Sequence, residues 1–198
     1  MSLFKKFFGN ATDPSEEGEV GQYAATTGNT VSLDERFIVH FRKNGGKFIY
    51  CESTNELREQ FLNILEENDW FECETLCFDP SLFYLLNENK LQFKEVNNPV
   101  FFLSPCENLL ADDGSVLFSS NQIKNINPKD LPANMIVVAT THQILESKSD
   151  GLREIKKKYN KDYPSNITTI KYFEKAKEED FLQYGSCAKN LYLLLLEE

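Results

Sequence analysis

The sequence predicts an α/β domain with a largely parallel sheet flanked by helices and carrying one β-hairpin excursion, and three observations lead there. From Ser32 onward, short apolar segments alternate with segments of helical periodicity. Cap and stop signals bracket the helical segments. The sheet candidates "PVFFLS" (99–104), "NMIVVATT" (134–141) and "KNLYLLLLEE" (189–198) are nearly continuous apolar runs, the pattern of strands buried on both faces. Right-handed crossovers in such a sheet would put a pocket at the carboxyl ends of its strands.

Each element follows from its own signals. "SLDERFIVHFRKN" (32–44) opens on a serine N-cap, carries acids in its first turn and stops at Gly45-Gly46, so it predicts a helix. "KFIYCE" (47–52) is a strand. "STNELREQFLNILEEN" (53–68) has a second cap and a helical face of Leu57, Phe61, Leu62 and Leu65. "ETLCF" (74–78) is a strand. "DPSLFYLLNEN" (79–89) starts a helix, with Asp79 at the cap and Pro80 at the first helical position. "QFKEV" (92–96) is a short edge strand and "PVFFLS" a buried one. No helix fits within "ENLLADDGSVLFSS" (107–120), which is therefore two short strands around a turn. After "NMIVVATT", a helix is expected over "HQILESKSDGLREIKKKYN" (142–160), with Gly151 weakening its middle. "NITTIKYF" (166–173) is extended, and "KNLYLLLLEE" closes the sheet. Before Ser32, residues 1–8 suit an amphipathic turn, and the small polar residues 9–31 suit a flexible linker.

Composition sets the function classes. A chain of 198 residues that is 41% hydrophobic, with sixteen phenylalanines, can bury a full core in one domain. A formal charge of −10 argues against a nucleic-acid partner, which needs a basic surface to displace counterions. The lysines of "REIKKKYNK" (153–161) fit a solvated helix face. No apolar run is long enough to span a bilayer, and "MSLFKKFFGN" lacks the apolar core of a secretory signal. The expected location is therefore the cytoplasm. The five cysteines (51, 73, 77, 106 and 187) then read as reduced thiols, and neither they nor His40 and His142 have metal-ligand spacing. No metal and no cofactor is expected.

Three segments are candidates for a ligand site. Asp112, Asp113, Gly114 and Ser115 have hairpin-turn chemistry, with glycine supplying a positive φ, and such a turn could also hold Asp112 and Ser115 at a pocket rim. Ser104 and Glu107 leave the "PVFFL" strand, where a doubly wound sheet places its ligand loops. Cys106 between them would need a nearby base to act as a nucleophile, and none is evident. Thr140 and Thr141 lie where a strand is expected to feed a helix. Hydroxyls and backbone N–H groups there can hold a carboxylate or simply cap the helix.

The order "ADDGSVLFSS … LPANMIVVATTHQI … YPSNITTI … NLYLLLLEE" resembles the LUD domain family, named for lactate utilisation, from about Ser32 to the C-terminus. The resemblance implies a NagB/RpiA/CoA-transferase-like fold. It also implies a place in a system that oxidises L-lactate to pyruvate beside iron–sulfur-containing oxidase subunits. The chain departs from the family at three points. Asp112-Asp113-Gly114-Ser115 stands where Glu-Thr-Gly-Thr is common, Tyr163–Thr168 lacks an arginine, and Gly185–Asn190 lacks a His-Gly-Pro. These changes weaken an anion site. Two classes of function stay open. One is an accessory or regulatory protein that binds a small organic acid or a partner protein. The other is an isomerase or acyl/CoA-transferase-like enzyme that uses a carboxylate such as Asp112 or Glu107.

Overall fold

The computed structural model describes residues 31–173 and 189–198. The amphipathic turn and nearly all of the linker expected at 1–31, together with residues 185–188 of the third departure, lie outside the described residues.

Helix α1 (Leu33–Lys43) starts with a reciprocal capping box. The Ser32 hydroxyl accepts the Glu35 N–H, and the Glu35 carboxylate accepts the Ser32 N–H at 3.1 Å. Strand β1 (Lys47–Cys51) and helix α2 (Thr54–Asn68) follow, α2 capped by Ser53. Next come β2 (Thr75–Leu76), a 3-10 turn (Pro80–Leu82) and α3 (Phe83–Glu88). Asp79 caps that turn through Ser81 N–H, as its place before a proline predicts. Strands β3 (Phe101–Pro105), β4 (Asn108–Leu110) and β5 (Ser115–Ser119) lead into a single-turn α4 (Ser120–Ile123). The chain continues through β6 (Asn134–Thr140), a 3-10 turn (Thr141–Gln143), β7 (Ile144–Leu145), α5 (Lys148–Tyr159), β8 (Ile167–Ile170) and β9 (Asn190–Leu196).

Two sheets form. The larger is wholly parallel, in the order β1-β9-β6-β3-β2. Alternate residues explain its apolar runs. Phe101, Leu103, Ile136, Tyr192 and Leu194 pack with the α2 face of Leu57, Phe61, Ile64 and Leu65, and Trp70 stacks on Phe101 at 5.0 Å. Phe102, Met135, Val137, Leu193 and Leu195, facing the other way, are fully buried as well. The expected hairpin is real, with β4 antiparallel to β5, but it is more than an excursion. It is the centre of a second sheet, β7-β4-β5-β8.

Helix α5 covers that second sheet, with Ile155 clustered against Leu110 and Leu117. Gly151 permits the approach, since a Cβ there would come within 2.7 Å of the Leu117 side chain. The glycine read as a weakness is a contact point.

Two elements differ from the sequence reading. The helix expected over 142–160 begins only at Lys148, where Ser147 caps it. Ile144 and Leu145 instead pair in parallel with Leu109 and Leu110, so strand pairing and burial of Ile144 override the helical periodicity. The strand expected at 92–96 shrinks to a single bridge from Gln92 to Glu74. The Glu74 carboxylate then accepts the N–H groups of Asn97 and Asn98 at 2.8 and 2.6 Å, which holds the following segment in a turn.

Candidate functional site

The two candidate carboxylate segments, 112–115 and 104–107, are separated by the length of the hairpin. Strand β4 runs from Asn108 to Leu110 toward the turn, and β5 runs back from Ser115 to Ser119. Hence Asp112–Gly114 lie at one end and Glu107 meets Ser119 at the other.

The turn end is docked on α1. Gly114 has φ +70°, and a Cβ on it would sit 2.4 Å from the His40 carbonyl carbon and the Phe41 nitrogen. A His40 ring nitrogen lies 2.8 Å from the Ala111 carbonyl oxygen, and the Asn44 amide donates to the Asp113 carbonyl at 2.7 Å. Partial burial works to raise the Asp113 carboxyl, but hydrogen bonds from Ser115 and the Lys171 ammonium at 3.4 Å outweigh it and hold the acid below its ordinary value. Asp112 is exposed, and its pKa is raised, first by desolvation and then by the charge of Asp113.

The other end opens onto a cleft of about 540 Å³ at the carboxyl ends of β2, β3 and β6. Its lining comprises Asp79 after β2, Pro105 and Cys106 at the end of β3, and Gln143 after β6. Asn121 and Gln122 of α4 also line it, as do Lys158, Tyr159 and Asp162 at the end of α5. This is where the α/β prediction places a pocket.

Glu107 anchors the wall of this cleft. Its side chain is 1% exposed, yet it stays ionised. Oε1 accepts from Ser119 Oγ at 2.6 Å, Gln122 Nε2 at 2.9 Å and Tyr159 OH at 2.9 Å, and Oε2 accepts from Lys158 Nζ at 3.1 Å. Burial works to raise its pKa, but the bonds from Ser119, Gln122 and Lys158 outweigh that and lower it. Lys158 responds in the opposite sense. Desolvation would lower its pKa, but Tyr159 and Glu107 raise it, so it is firmly cationic. Cys106 next door is buried, and its thiol is pushed well up by burial and by the Glu107 charge. A thiol in that setting is not a nucleophile.

The remaining sequence candidates have structural partners. Ser104 is buried on β3 and donates to the Pro105 carbonyl at 2.7 Å. The Thr140 N–H donates to Gln143 Oε1 at 2.8 Å, and the Thr141 hydroxyl meets the Glu198 backbone. No helix starts at Thr141: the three-residue turn there gives way to β7. Gln143 Nε2 donates to the carbonyls of Cys106 at 2.7 Å and Glu107 at 3.1 Å, which stitches the β3 and β6 ends together.

Sequence reasoning missed Ser119, Gln122, Lys158 and Tyr159 as neighbours of Glu107. The lysines at 156–158 do form an exposed face of α5, and only the packing of α5 on the second sheet brings the Lys158 ammonium to Glu107. Among the described residues, no group of three or more His, Cys, Asp or Glu side chains could hold a metal ion. Among them also, no helix is long and apolar enough to cross a membrane.

Fold and cleft together define an α/β protein with a five-stranded parallel sheet and a polar cleft at its strand ends. A solved structure shares that fold: the crystal structure of a DUF162 family protein from Deinococcus radiodurans, at 1.70 Å resolution. It matches with a TM-score of 0.59 and 12% sequence identity over 85% of this chain and 100% of that one. No family model matches the sequence, and no curated protein does.

Proposed function

We propose that this chain is a LUD-type binding domain, DUF162 being the LUD domain family, which holds a small organic acid in the cleft at the end of β3. It serves as an accessory or regulatory component of L-lactate oxidation or related organic-acid metabolism. Its setting is the cytoplasm, beside iron–sulfur-containing oxidase subunits. The shared fold and the sequence resemblance support the family, and the cleft chemistry supports binding over catalysis.

One observation carries the reading: Glu107, the catalytic candidate that the sequence offers at this end of the hairpin, lies behind the cleft wall with its hydrogen-bonding capacity already filled by Ser119, Gln122, Lys158 and Tyr159. A general base must have a lone pair free for the substrate and a pKa near the working pH. Glu107 has neither. Lys158, by contrast, is half in solvent and has two hydrogens left to offer beside the one given to Glu107, and Asn121 and Gln122 add amide donors on the same wall. Such a wall suits a carboxylate that is held rather than converted.

Calorimetric titration with L-lactate and pyruvate tests this. Saturable binding is expected in the wild type and is expected to weaken about tenfold in Lys158→Met and in Asn121→Asp, the latter an exposed position where folding is not at issue. Circular dichroism checks the fold of each variant. Absence of binding would overturn the reading. So would isomerase or acyl-transfer turnover abolished by Glu107→Gln, which would instead establish the enzyme class.

A further inference from the structure

We infer that the acid held in this cleft also carries an ammonium group, so that the ligand class is a small zwitterion such as an α-amino acid rather than a bare hydroxy acid. The inference rests on the cleft being the ligand site proposed above. It adds the charge pattern around that site.

Lys158 is the lysine or arginine that lines the cleft, and Glu107 already neutralises it at 3.1 Å from behind. Asp79 and Asp162 line the same space. Neither is in an ion pair with a described residue, and Asp79 is held by the Ser81 hydroxyl and N–H at 2.6 and 2.9 Å, which leaves its charge in place. The twelve-residue α5 ends here, so the negative end of its dipole adds to the same sign. Lys124 stands at the edge of the cleft, and Lys157 is engaged elsewhere. Lys124 donates to the Asn121 carbonyl at 3.3 Å and lies over the Phe78 ring, and Lys157 pairs with Glu154.

Among the lining residues, Asp79 and Asp162 thus stand beside the self-compensated Glu107–Lys158 pair. A lone carboxylate entering the cleft would find donors but would leave Asp79 and Asp162 unmatched. A carboxylate with an ammonium on the neighbouring carbon would find both halves matched, the carboxylate at Lys158 and the amides, the ammonium at Asp79 and Asp162.

A second observation points to a ligand independently of the acids. Gln122 lines the cleft and is only 8% exposed. Its Oε1 accepts the Ser119 N–H and one Nε2 hydrogen goes to Glu107. No acceptor among the described residues takes the second hydrogen. A cleft-lining amide with donor capacity to spare is a place for a ligand oxygen. The volume, about 540 Å³, lies within the roughly 300–1,000 Å³ of small-molecule sites and leaves room for a side chain.

Matched pairs of ligands isolate the ammonium. L-alanine and L-lactate differ only by –NH₃⁺ or –OH on C2, as do L-norvaline and L-2-hydroxyvalerate. Calorimetry at pH 7 on the full chain is expected to show each amino acid binding at least about tenfold tighter than its hydroxy partner. Asp79→Asn combined with Asp162→Asn is expected to erase that preference, weakening the amino acids while leaving the hydroxy acids unchanged or tighter. Asn at 79 keeps the cap, so folding is preserved. Equal or tighter binding of the hydroxy acids to the wild type overturns this inference and leaves the binding role intact. So does an amino-acid affinity untouched by the double variant. No binding of either series overturns both.

Discussion

Gly114→Ala is the sharpest test of how the hairpin is built. The residue sits at φ +70°, in the left-handed region, where an L side chain costs on the order of 1 kcal/mol. The added Cβ would also lie 2.4 Å from the His40 carbonyl carbon and the Phe41 nitrogen, which are helix backbone and cannot rotate away. Either α1 lifts off the turn, losing the Asn44 bond to the Asp113 carbonyl and the His40 contact with Ala111, or the turn distorts. Overpacking of this kind costs about 1–3 kcal/mol, for a total of about 2–4 kcal/mol. In a chain of this size about 3 kcal/mol lowers Tm by roughly 6–12 °C. Urea unfolding followed by circular dichroism measures it, with Asp112→Asn as the control. Asp112 is exposed, and its neutral isostere should change stability by less than about 0.5 kcal/mol. A Gly114→Ala protein within about 0.5 kcal/mol of wild type would refute the docked-turn geometry.

Three further outcomes follow from the Glu107 cluster and its surroundings. Glu107→Ala should lose about 2–4 kcal/mol by urea unfolding, because it strands Lys158, Ser119, Gln122 and Tyr159 around a void, and a loss below 1 kcal/mol would contradict the buried-anchor role. The Glu107 pKa is lowered in the folded protein, so its contribution is complete above the ordinary carboxyl value of 4.5 and disappears as pH falls through the folded value. Stability measured from pH 6 to pH 3 should therefore fall less steeply in Glu107→Gln than in wild type, and parallel curves would count against the assignment. Cys106 should resist iodoacetamide at pH 8 in the native state, since its thiol is buried and its pKa raised, whereas rapid labelling mapped by mass spectrometry would show an accessible thiolate.

Much of the fold was legible because local chemistry and tertiary context agree. Ser32 with Glu35, Asp79 with Pro80, and the Asp-Asp-Gly turn each specify a local geometry that packing leaves alone. The buried runs around Phe101, Met135 and Leu193 could only belong to a sheet covered on both sides. Legibility failed where a long-range partner decides. Ile144 and Leu145 look helical until β4 offers them a parallel edge, and Gln92 has one strand neighbour where a strand needs several. The cleft shows the same division. Glu107 was a candidate from its place after β3, but its partners come from positions 119, 122, 158 and 159, which no spacing rule connects. Asp112 drew attention because adjacent acids are conspicuous in sequence, whereas the fold places them against α1 and away from the strand ends.

The central claim is that the ligand site lies at the end of β3 and not at the turn. Amide chemical shifts recorded during titration with L-alanine and L-lactate test it most directly. The account predicts that the largest shifts fall on Cys106, Gln122, Gln143, Lys158 and Tyr159, with Asp112–Ser115 unmoved. Shifts centred on Asp112–Ser115, with the cleft residues silent, would contradict it.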